Sequence, residues 1–133
     1  MTMTMQVAEN AWGSILHHRN RGIVELVWTK TAEMGDGGFM ATLCLLAGEA
    51  ERVRAPFILV DAVAFRHTFG PNVNEWRQAN VIPRYGAAGV RRFAFIMPEG
   101  FAHIGEEAVE GHATFPTAWF GSRHDALAWL ASA

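Results

Sequence analysis

Cysteine is almost absent. The 133 residues contain one, Cys44, which excludes an internal disulfide and any multi-cysteine zinc or iron–sulfur site. Charge is scarce as well, with 18% charged beside 50% hydrophobic residues. A disordered chain shows the reverse balance, because it cannot bury enough apolar surface to offset the entropy of ordering. No basic excess exists: the net charge is −2, which argues against a dedicated nucleic-acid binder. Long hydrophobic runs are missing too. Pro56-Phe57-Ile58-Leu59-Val60 is far shorter than the roughly 20 residues that span a bilayer. The start carries no basic cluster followed by an apolar stretch, so no secretory signal is read and a cytoplasmic location is expected. Repeats and low-complexity linkers are lacking. Residues 1–133 are therefore expected to form one domain, with 1–10 as a frayed leader.

What is present is a change of period along the chain. Residues 12–19 and 22–29 read as two strands joined by Arg19-Asn20-Arg21-Gly22, whose Asn and Gly suit a hairpin turn. Phe39, Leu43, Leu46, Ala50 and Val53 recur at spacings of 4, 3, 4 and 3, which places them on one face of a helix. Asp36 is its expected N-cap, and Pro56 stops the segment. Residues 57–61 form an apolar run ending in Asp61, as in a strand covered on both faces. After a loop over 62–71, Asn72 is expected to cap a second helix ending before Pro83, and 85–89 a short helical turn. Residues 90–97 read as another buried strand, 104–111 as a short helix, and 117–120 as a last strand. Ser122 and Asp125 open a terminal helix with Ala126, Leu127, Trp129 and Leu130 on its apolar face. Strands alternating with helices predict an α/β fold: a mixed, mostly parallel sheet of about five strands with helices packed against it.

The order of these elements carries a resemblance. Ile58-Leu59-Val60-Asp61 ends a strand in an acid, Val90-Arg91-Arg92-Phe93 opens a basic strand, and Phe120-Gly121-Ser122 leads into Asp125-Ala126-Leu127-Ala128-Trp129-Leu130. Together, over residues 20–132, they resemble the SpoIIAA-like, or STAS/SEC14-like, bacterial proteins. The resemblance implies a mixed sheet flanked by helices and a non-enzymatic binding or regulatory module. Such a module acts through a protein partner or through itself as a homodimer. Antagonists of that group carry a phosphorylated Ser after the central strand. Here Asp61 is followed by Ala62-Val63-Ala64-Phe65, and Thr68 is the only hydroxyl of the loop, so the phospho-switch is not carried over.

The residues themselves single out the carboxyl end of the strand at 57–61, where ligands collect in open α/β sheets. Asp61, His67 and Thr68 lie at or after it, and Phe65 and Phe69 flank the histidine. Aromatics are the surplus of this chain, with five Trp and nine Phe. Two of them in a polar loop suit a pocket or a partner patch better than a core. Asp61, Phe65, His67, Thr68, Phe69 and Trp76 are therefore the expected ligand- or partner-binding residues. Two occupants fit: a protein partner, or a small apolar ligand held between helices and sheet. An enzyme would rest on Asp61 and His67 as its acid–base pair, with no nucleophile assigned.

Other patterns suggest less. His103 and Glu107 stand at i,i+4, with His112 five residues on, but no HExxH or Cys-rich pattern supports a metal. Cys44 has no basic neighbour within a turn and reads as an inert thiol. Gly35-Asp36-Gly37-Gly38 lacks the Lys and Ser/Thr of a phosphate-binding loop. Arg91 and Arg92 are expected to form salt bridges at the sheet edge. No cofactor is expected.

Overall fold

A computed structural model describes residues 4–133. Three strands open the chain: β1 (Thr4–Glu9), β2 (Gly13–His18) and β3 (Ile23–Trp28). They form an antiparallel meander. A one-turn 3₁₀ segment, Arg19–Arg21, joins β2 to β3 and closes at Gly22, whose φ of +66° suits glycine. The frayed leader expected over 1–10 is corrected for residues 4–9, which pair with β2 as an edge strand, bulged between Gln6 and Ala8. Residues 1–3 of that expectation lie outside the described residues.

The long helix α1 (Gly35–Val53) follows. It buries Phe39, Leu43, Leu46 and Ala50 of the expected stripe, together with Ala47, while Val53 at its end is half-buried. Asp36 is not its N-cap; it lies in the first turn, and its side chain serves another partner. Strand β4 (Phe57–Asp61) then pairs parallel with β3. The second helix ends before Pro83, as expected: α2 (Val73–Asn80) is followed at once by α3 (Ile82–Ala87), which takes Pro83 into its first turn and begins earlier than the helical turn expected over 85–89. A missing N–H costs nothing in a first turn.

Strand β5 (Arg92–Ile96) pairs parallel with β4. Residues 104–111 do not form the expected short helix. Two of them make β6 (Glu107–Ala108), antiparallel to β7 (Thr117–Phe120). The helix α4 (Arg123–Ala131) closes the fold. Ser122 Oγ accepts from the Asp125 amide at 3.1 Å, as the capping pattern predicted.

The result is an α/β fold with one mixed seven-stranded sheet, in the order β1-β2-β3-β4-β5-β7-β6. Its middle strands β3, β4, β5 and β7 are parallel, with antiparallel strands outside them. The expected five strands become seven because residues 4–9 and 107–108 join the sheet. Alternation divides the apolar side chains between two faces. Val24, Leu26, Trp28, Ile58, Val60 and Phe93 pack with α1, α2 and α3. Ile23, Leu59, Ala94 and Ile96 pack with Ala126 and Leu130 of α4. Among the described residues no helix is long and apolar enough to cross a membrane.

Candidate functional site

A cavity of about 400 Å³ lies on the face covered by α1, α2 and α3. The parallel strands contribute Trp28, Val60, Phe93, Phe95 and Trp119, with Ala62 and Met97 just beyond β4 and β5. It therefore sits at the carboxyl rim of the parallel strands, the position at which an open α/β sheet leaves a crevice. Helices add Phe39 and Leu43 from α1, Val73, Asn74 and Arg77 from α2, and Tyr85 from α3. Loops close it with Phe65, His67, Phe69, Phe101 and Glu110.

The aromatics form two clusters. Trp28 stacks on Phe39 at 5.6 Å, and Phe65 meets Trp28 edge-on at 5.1 Å. Phe69 lies 4.6 Å from Phe39 and 5.7 Å from Phe65. In the second cluster Phe93 touches Tyr85 and Phe95 at 5.3 and 5.1 Å, and Phe95 stacks on Trp119 at 6.2 Å. Such contacts fix ring positions as well as bury area. Phe69 is 48% exposed, which puts one edge of the first cluster in solvent.

Polar groups on the wall are few. Arg77 Nη2 donates to Glu110 Oε2 at 2.5 Å, so these two charges neutralise each other. His67 Nε2 lies 2.7 Å from Asp36 Oδ1, and the Gly70 amide also donates to that carboxylate. Both bonds hold the Asp36 carboxyl below its ordinary pKa, the His67 contact more strongly. An ionised carboxylate only accepts, so His67 Nε2–H is the donor of this bond. A Cβ at position 70 would meet the Asp36 carboxylate, so a side chain there would displace it. Tyr85 is buried, and its hydroxyl has no hydrogen-bond partner among the described residues. Burial holds it un-ionised far above the ordinary tyrosine range.

The six residues expected from sequence separate. Phe65, His67 and Phe69 meet in the cavity wall. Thr68 is exposed and outside the lining. Trp76 packs half-buried against the core and is outside the cavity lining, to which α2 contributes Val73, Asn74 and Arg77. Asp61 belongs to the other face. Its carboxylate accepts from the Val63 amide and from Arg123 Nη2 at 3.3 Å. The expected Asp61–His67 pair is corrected: the partner of His67 is Asp36, brought from 31 residues away.

That opposite face holds a second polar cluster. Glu25, fully buried in β3, accepts from Arg123 Nη1 and Nη2 at 3.1 and 2.5 Å and faces His18 Nε2 at 2.7 Å. The Glu25 contact holds the Arg123 guanidinium in its charged form. Arg92 is not a sheet-edge salt bridge. It donates to the Trp129 carbonyl and Ser132 Oγ at the end of α4, where a cation suits the helix dipole. The His103 and Glu107 spacing lapses because the segment is not helical: His103 bonds Glu106, and Glu107 accepts from Trp129 Nε1. Among the described residues no three His, Cys, Asp or Glu groups converge on a metal position.

Sequence reasoning missed Asp36, Arg77, Tyr85 and Glu110. A signal existed for one of them: Tyr85 is the chain's only tyrosine, placed in a helix with an apolar face. The other three depend on contacts across 31 to 34 residues. No family model, curated protein or solved structure matches this chain, so the cavity's chemistry is read from its own residues.

Proposed function

We propose that this chain is a binding module that holds a small apolar ligand in the cavity at the carboxyl rim of its sheet. The observation that carries this reading is the cavity itself, about 400 Å³ between two aromatic clusters, with few polar groups in its wall. That combination is the usual form of a small-molecule site. The SpoIIAA-like resemblance supports a regulatory rather than a catalytic use. A module working only through a protein partner would offer a continuous apolar surface patch. The large exposed apolar side chains, Met5, Val63, Phe69, Ile104 and Val109, are spread over β1, the 62–71 loop and the segment around β6. This ranks the ligand above the partner or homodimer as the primary function.

Native electrospray mass spectrometry of protein purified from its own cells tests the reading. An extra mass that disappears on denaturation supports it, and Ala62→Leu, which narrows the cavity, removes that mass. A clean even multiple of the chain mass, with no small neutral aromatic bound when supplied, overturns it in favour of self-association.

A further inference from the structure

The cavity's polar groups restrict what it takes. Arg77 and Glu110 are bonded to each other at 2.5 Å and are both largely buried, with side chains 16% and 21% exposed. A charged ligand would have to break this pair or leave its own charge unpaired in an aromatic chamber, and both are costly. His67 is different. In the neutral imidazole the Nε2 hydrogen is committed to Asp36 and Nδ1 keeps a lone pair. Among the described residues nothing donates to that nitrogen, although the side chain is only 12% exposed and forms part of the cavity wall. The imidazole is held in place by edge contacts with Phe65 and Phe69, at 6.3 and 5.5 Å.

We infer that the cavity selects a neutral, planar aromatic compound bearing an N–H or O–H, of the indole or phenol class, which donates to His67 Nδ1 while its ring lies between the aromatic walls. Asp36 is a positioning residue in this scheme: it fixes the tautomer that makes His67 an acceptor. The inference rests on the ligand-binding reading above and names its ligand class.

Calorimetric titration with three probes separates the two. Indole is neutral and donates through N–H. 1-Methylindole has nearly the same shape and no donor. Indole-3-carboxylate keeps the N–H and adds a charge. Indole is expected to bind about tenfold more tightly than 1-methylindole, the worth of one buried hydrogen bond, and the carboxylate most weakly. His67→Phe is expected to bring indole down to the level of 1-methylindole and to leave 1-methylindole unchanged. Should that variant fail to fold, the ¹⁵N shifts of His67 in the native protein serve instead. The Nδ1 resonance is expected to move with indole but not with 1-methylindole. Equal affinity for indole and 1-methylindole overturns the ligand class and leaves the cavity reading standing. The tightest binding by the carboxylate overturns neutrality. No binding by any of the three overturns the cavity reading itself.

Discussion

Asp36 in the first turn of α1 and His67 in the loop after β4 are joined at 2.7 Å, and the same carboxylate receives the Gly70 amide. One side chain thus ties both ends of a short loop segment to the helix beside the cavity. Asp36→Ala is expected to free that segment, seen as faster hydrogen exchange at the Gly70 amide with the β4 and β5 amides unchanged. In the native protein the Asp36 carboxyl lies below its ordinary value. Its contribution is therefore whole above the unfolded value of about 3.9 and is lost as pH falls through the lower folded value. Gly70 protection at pH 5 that equals protection at pH 2 would refute this.

Tyr85 offers a direct spectroscopic check, because it is the only tyrosine. Burial raises its pKa. Tyrosinate absorbance near 295 nm should stay flat past the ordinary value of about 10 and appear only when the protein unfolds. The unfolded chain loses this proton first. Stability is thus undiminished by Tyr85 below about pH 10 and falls as pH rises beyond it. A reversible titration at pH 10 with the fold intact would contradict the burial of this side chain.

Glu25 and Arg123 join β3 to the start of α4 across 98 residues. Arg123→Ala leaves a fully buried carboxylate with only His18 beside it, and is expected to cost about 3 kcal/mol in chemical denaturation. That is the low end for a buried pair, since Arg123 is 44% exposed. Replacing both residues by leucine should recover most of the loss, because the penalty lies in the unpaired charge. A double variant no better than Arg123→Ala would place the cost elsewhere.

The cap of α4 should behave independently. Ser122→Ala removes the acceptor for the Asp125 amide and is expected to cost about 1 kcal/mol, with no change in ligand affinity, since Ser122 is outside the cavity wall.

Narrowing the cavity should separate stability from binding. Ala62 is buried in its wall. Ala62→Leu places new methyl groups in space the fold does not need, so the melting temperature should hold while affinity for indole falls at least about tenfold. A steep loss of stability would show that the site is packed rather than open.

Much of this architecture is local in origin and was legible in the chain. The 4-3-4-3 apolar spacing of α1, the apolar run of β4 ending in Asp61 and the Ser122–Asp125 cap each depend on side chains a few positions apart. The loop histidine between two phenylalanines was also readable, because aromatics in a polar loop have no local reason to be there. The fate of residues 4–9 and 104–111 was not. Residues 4–9 and 107–108 are the two edge strands of the sheet, and pairing across a sheet leaves little trace in periodicity.

The sequence by itself determined an α/β chain, its surplus of aromatics and an aromatic loop after β4. Tertiary structure alone decided which carboxylate serves which cation. Alternation along β4 turned Asp61 to the face of α4, where Arg123 holds it. Asp36, in the first turn of α1, meets His67 instead and accepts the Gly70 amide as well. Hydrogen bonds and ion pairs act over about 3 Å, so partners 31 or 98 residues apart are chosen by the path of the folded backbone and not by any spacing in the chain.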